Sequence, residues 1–216
     1  FTTDFICAEQ QTHKSEIADQ NDKIKTLEQE KVKLQASLRS VSTRLSTMEN
    51  ISRSCNLELQ AVPEKKNENV MLMFKNLCST INMSIAENNI IACRRVAKMD
   101  TKSSRPRNIL VSLSSPLVRD TVLAMASRHN KAARNSTDPT NQLLNSMHLG
   151  ITGESKRIYV VEHLSPECKT LYAETRKVAK SKGYNIVWTR YGKIYVRRNE
   201  QSDAIHIKDA NCLNKL

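Results

Sequence analysis

The residues best equipped for chemistry lie near the C-terminal end. Between Ile158 and Lys208 stand all five tyrosines and the only tryptophan of an otherwise aromatic-poor chain. Lysines and arginines are interleaved with them, in RIYVVEHL and then in KTLYAETRKVAKSKGYNIVWTRYGKIYVRRNE. A flat ring offers a stacking surface to an unpaired base, and a fixed cation beside it offers charge to the adjoining phosphate. The same tyrosines could instead fill a small core. Alternation sorts the two uses, because residues two apart on a strand share a face. Lys193, Tyr195 and Arg197 therefore share one face and form the leading contact set. Whether Trp188 joins them depends on the turn at Tyr191-Gly192. An even loop groups Ile186, Trp188 and Arg190 with Lys193, Tyr195 and Arg197 over a core of Val187, Ile194 and Val196. An odd loop sends Trp188 into that core. Tyr159 and Tyr172 are assigned to the core, and Lys208, ending a closing strand, joins the basic set.

A second basic group has no rings beside it: Arg94, Arg95, Lys98, Lys102, Arg105 and Arg107. Its expected use is phosphate contact by charge alone. A third, Lys169, Arg176 and Lys180, falls at i, i+7 and i+11 and predicts a basic stripe on the outside of a helix. Catalytic groupings are missing by contrast. No HExxH, GxSxG or paired-carboxylate motif occurs, and the five histidines are scattered. Glu162 and His163 are adjacent, but neighbours on a strand point to opposite faces, so no acid-base pair is expected there. Four glycines exclude a Gly-rich phosphate cradle. The six cysteines (7, 55, 78, 93, 168 and 212) lack the close pairs that zinc sites use, so neither metal nor cofactor is expected. They read as reduced thiols of an intracellular protein, cytoplasmic or nuclear, without a signal peptide. A first residue of Phe, not Met, points to a fragment.

The charge agrees with a polyanionic partner. The formal net charge is +12, and residues 1–61 contribute none of it, with 8 basic against 9 acidic side chains. Residues 62–153 carry 13 against 6, and residues 154–216 carry 13 against 7. No long apolar run or lysine-rich amphipathic helix points to a membrane, and nothing points to a small-molecule substrate. Single-stranded RNA or DNA is the expected partner.

Three kinds of element must position these residues. Over 15–54 apolar side chains follow a heptad frame, with Ile17, Ile24, Leu38 and Leu45 at a and Leu27, Leu34, Val41 and Met48 at d. Lys31 and Gln20 interrupt the seam. Lys23 at g faces Glu28 at e, and Arg44 at g faces Glu49 at e, as a parallel coiled coil requires. Arg44-Leu45-Ser46-Thr47-Met48-Glu49 resembles the R-h-x-x-h-E pattern of three-stranded coils, so a homotrimer is expected, with a homodimer as the alternative. Residues 1–14 are taken as a disordered or fragment start. Residues 55–150 read β-α-β-β-α-β, the order of a ferredoxin-like or RNA-recognition domain. Strands are expected at 56–62, 90–96, 108–113 and around Leu143 to Leu149. Asn67 is expected to cap one helix and Ser115-Pro116 to open the other, whose apolar face includes Leu117. Its first and third strands carry no aromatic residue, so the usual stacking by that fold is not available here. A linker at 151–156 leads to a small α+β domain at 157–216. There Arg157 to His163 is a strand, Ser165-Pro166 opens a helix ended by Gly183, and a hairpin follows. The fold class is α+β.

Several stretches resemble the baculovirus few-polyhedra (FP) protein family and its insect FP-domain relatives. They are Asn56-Leu-Glu-Leu-Gln, Arg94-Arg95-Val96-Ala97-Lys98, His148-Leu-Gly150, Glu162-His163-Leu-Ser-Pro-Glu167 and Val187-Trp188-Thr-Arg-Tyr-Gly-Lys193-Ile-Tyr-Val-Arg197. The resemblance runs from about residue 40 to the end. That family is similar in architecture to the first-open-reading-frame proteins of LINE-type retrotransposons, which are trimeric single-strand-binding chaperones. The resemblance thus implies a non-enzymatic, oligomeric nucleic-acid-binding protein with a chaperone or packaging role. Its alternative is a viral adaptor acting through protein contacts in nucleocapsid or envelope-protein traffic and occlusion. The PHD-type zinc finger of some insect relatives has no counterpart in these residues.

Overall fold

The structure, a computed structural model, describes residues 2–98, 102–138, 141–214 and 216, and residues 2–8 by backbone only. Phe1 and the Cys7 thiol lie outside the described residues. The chain is α+β and divides into two compact units, Phe1–Met48 and Glu49–Leu216. Helix α1 spans Thr2–Arg53. It includes residues 2–14 of the stretch taken as a disordered or fragment start, and no proline or glycine occurs before Pro63 to stop it. Within the first unit its seam residues lie open to solvent. Ile17, Ile24, Leu27, Leu34, Leu38, Val41, Leu45 and Met48 are all more than half exposed in the single chain.

The second unit holds two antiparallel sheets. Strands β1 (Asn56–Gln60), β2 (Ile90–Arg95), β3 (Ile109–Leu113) and β4 (Tyr159–Glu162) form the first, in the order β2-β3-β1-β4. Helices α2 (Val70–Thr80) and α3 (Pro116–Asn135) supply side chains to the core on one face. Leu57, Leu59, Ile109 and Val111 meet Phe74, Leu77 and Val122 there. Asn69 caps α2 by accepting from the Leu72 amide. The expected cap, Asn67, lies two residues too early and takes a positive φ of 57° in the preceding turn. Ser115 and Pro116 open α3 as expected. Leu117, however, is 76% exposed, and Arg119, Val122 and Ala126 form the buried face instead.

The fourth strand differs from expectation. Leu143 to Leu149 contributes only an isolated bridge, Asn145 with Arg157, and then a 3-10 turn at Ser146–Leu149. Asn145 caps that turn through Met147 N, His148 Nδ1 accepts from Asn145 N, and Gly150 closes it at φ +78°. These local bonds outcompete a ladder. The place beside β1 is taken by Tyr159–Glu162, a strand assigned from sequence to the C-terminal domain.

The second sheet, β5 (Ile186–Arg190), β6 (Lys193–Arg197) and β7 (Ile205–Ile207), follows helix α4 (Pro166–Ser181) and precedes a short α5 (Ala210–Asn214). Ser165 caps α4, and Gly183 at φ +75° follows its end, as the sequence predicts. Ile194, Val196 and Ile207 are buried with Ala179, Tyr184 and Leu213. One face of this small sheet is thereby committed to the core. The other is the face on which the candidate residues fall.

Candidate nucleic-acid interface

The turn between β5 and β6 has two residues, Tyr191 at φ +54° and Gly192 at φ +70°. Two successive positive φ values mark the type I′ hairpin, the loop that matches strand twist. The loop is even. Val187 pairs with Val196, Trp188 with Tyr195 and Arg190 with Lys193. Tyr195 then pairs with His206 on β7. The ungrouped face is therefore ordered in rows across three strands. One row is Trp188, Tyr195 and His206. Beside it, by register and alternation, stand Arg190, Lys193 and Lys208. Arg197 opposes Ile186 in the row on the other side.

The three rings form a column. Trp188 and Tyr195 have centroids 5.5 Å apart at an interplanar angle of 19°. Tyr195 and His206 are 5.1 Å apart at 28°. The Arg197 guanidinium carbon lies 5.4 Å from the Trp188 centroid. Trp188, Tyr195 and His206 are each half-buried, while Arg190, Lys193 and Lys208 are exposed. Burial, then Lys193 and Lys208, hold the His206 imidazole below its ordinary range. Sequence reasoning omitted His206. The signal was present, because His206 alternates with the apolar Ile205 and Ile207, but lone histidines are common on strands.

The hairpin is aimed by a carboxylate from the other sheet. Glu162, the last residue of β4, accepts from both turn amides, Tyr191 N at 2.8 Å and Gly192 N at 3.0 Å. The buried Arg119 places Nη1 4.0 Å from the same carboxylate, and its guanidinium 5.8 Å from the Tyr191 ring. Cys168 Sγ donates to the Gly192 carbonyl at 3.3 Å. The positive φ at 192 favours glycine, and a Cβ there would stand 2.5 Å from Asn50 Oδ1, so the Asn50 side chain would have to shift.

The remaining candidates divide sharply. Lys169 is not part of an outer stripe. Its Nζ lies 2.5 Å from Glu58 Oε1 and neutralises a carboxylate that is 1% exposed. Gln60 and Asn108 donate to the other oxygen of Glu58, both at 3.1 Å. His163 Nε2 approaches at 3.7 Å, with burial pushing the imidazole below its ordinary range. A saturated carboxylate thus stands on the outer face of the first sheet, which by register it shares with Tyr159 on β4. Arg176 and Lys180 are exposed, Arg176 lying 6.0 Å from the Tyr172 ring. Arg95 is also withdrawn. It pairs with Glu68 through Nε at 2.7 Å and donates from its terminal nitrogens to the carbonyls of Val62 and Pro63 at 2.9 Å. Arg107 pairs with Glu64 at 2.9 Å. Arg94 and Arg105 remain exposed. Tyr159, assigned to the core, is 45% exposed with the Arg157 guanidinium 5.1 Å from its ring, because β4 is an edge strand. Tyr172 packs against the core as expected.

Residues 165–216 match the family model described as Baculovirus FP protein domain 2. The C-terminal module thus carries the few-polyhedra family resemblance seen in the sequence. Comparison with curated proteins gives no match. The matched segment contains α4, the whole three-stranded sheet and α5, and so every residue of the ring column and of the cation row beside it. Among the described residues, no helix is long and apolar enough to cross a membrane.

Proposed function

We propose that this is a non-enzymatic, oligomeric protein that binds single-stranded nucleic acid through the open face of its FP-type sheet. The observation that carries this reading is the row of Trp188, Tyr195 and His206 set directly against Arg190, Lys193 and Lys208, with Arg197 beyond. The first sheet supports the fold half of the reading. Its order β2-β3-β1-β4, with two helices on one face and Tyr159–Glu162 as fourth strand, supports reading it as an RNA-recognition-like β-α-β-β-α-β domain. Its outer face carries Glu58 where such domains carry rings, so the stacking role passes to the second sheet. The exposed seam of α1 supports self-association as a parallel coiled coil. Three copies would raise apparent affinity about 10²–10⁴-fold where geometry permits.

The test is a salt titration of labelled single-stranded RNA. The log–log slope should be steep, and Lys193→Ala with Arg197→Ala should lower its magnitude by about 1.4 while weakening all sequences alike. Salt-independent binding, or an unchanged double variant, refutes the reading. The FP match at residues 165–216 favours a second one, a few-polyhedra-type adaptor working through protein contacts. It predicts an oligomer that captures capsid or membrane-associated proteins and ignores RNA.

A further inference from the structure

We infer that the outer face of the His206 ring is the docking place of one unpaired base, with Lys193 and Lys208, both on its hairpin side, holding the adjoining phosphate. This rests on the nucleic-acid reading above and deepens it, because the ring column does not offer its three members equally. Near-parallel rings at 5.5 and 5.1 Å overlap in offset stacks. Tyr195 lies between strands β5 and β7, so Trp188 covers one of its faces and His206 the other. Tyr195 therefore presents edges and a hydroxyl, not a platform. Trp188 has Tyr195 against it and the Arg197 guanidinium 5.4 Å from its centroid.

His206 is the open end. Its strand is the last of the sheet order β5-β6-β7, so the sheet itself places nothing beyond the ring. Among the described residues none hydrogen-bonds its ring nitrogens, which leaves its N–H to donate to a phosphate or sugar oxygen. By register and alternation, Lys193 and Lys208 stand in the row next to His206, both on its hairpin side. A ring with two cations in the next row matches a base beside its own phosphate. A base docked there would lengthen an existing stack by one ring. Duplex DNA or RNA keeps its bases paired and could not reach the site this way.

The experiment compares oligothymidylate with a deoxyribose-phosphate strand of equal length that lacks bases. Wild type should bind the base-bearing strand more tightly. His206→Ala should weaken oligothymidylate about tenfold and leave the abasic strand unchanged, whereas His206→Phe should keep the preference. Should His206→Ala not fold, His206→Phe and the imidazole proton signals of wild type carry the test. Those signals should move upfield with oligothymidylate and not with the abasic strand. The inference is overturned if His206→Ala lowers both affinities equally or neither. It is overturned, with the phosphate-binding reading left standing, if wild type binds both strands alike. If wild type binds neither strand, the proposed function itself falls.

Discussion

Arg94 and Arg95 are neighbours in the chain with opposite occupations. Arg94 is exposed on β2, whereas the Arg95 side chain is 7% exposed and holds Glu68 together with the carbonyls of Val62 and Pro63. Hydrogen bonding from Arg95 keeps the Glu68 carboxyl below its ordinary range. Arg95→Ala leaves a nearly buried carboxylate unpaired and should cost about 3 kcal/mol in urea denaturation. Arg94→Ala should stay within about 0.5 kcal/mol. Alternation says that these two arginines face opposite ways, but not which of them meets an acid. Glu68 lies 27 residues away, just before α2, and that pairing is a tertiary fact. Lys169 and Glu58, 111 residues apart, were hidden for the same reason. The titratable groups also set a pH dependence. Burial holds His148, His163 and His206 below the ordinary histidine range, so the unfolded chain binds protons that the folded one refuses. Stability should therefore fall as pH drops below about 6.5. It should fall again below about 4.5, where Glu64 and Glu68 lose their arginine-held charge. Thermal melts from pH 8 to pH 3 should show both steps.

At the scale of elements, the local devices were legible. Ser115-Pro116 and Ser165-Pro166 open helices because cap and first turn are contained in a few residues. The Tyr191-Gly192 loop sorts the hairpin faces as an even turn does. What stayed hidden was competition between segments for one place. Leu143 to Leu149 and Tyr159 to Glu162 are both short and apolar enough to flank β1. Asn145 and Gly150 decide between them by folding the first into a 3-10 turn. The hairpin turn is sensitive to substitution. Gly192→Ala adds a Cβ against Asn50 and asks a non-glycine residue to hold φ +70°. It should cost about 1–2 kcal/mol in denaturant unfolding. Asn50→Ala should recover part of that loss by opening the space.

The whole molecule joins a solvent-exposed apolar seam to a unit that carries the ring column. Light scattering should return a trimer, and Arg44→Ala with Glu49→Ala should shift it toward dimer. Glu49 also lies 3.8 Å from Arg53 of its own helix, so the single variant Glu49→Ala should show the smaller shift. The second unit is fastened within itself by two carboxylates, Glu58 on Lys169 and Glu162 on the hairpin turn. Trp188, the only tryptophan, stands on β5 of the second sheet. Its emission is consequently a private optical channel for the FP-type sheet, already coupled to Tyr195 and Arg197, while the first sheet contributes no indole signal at all.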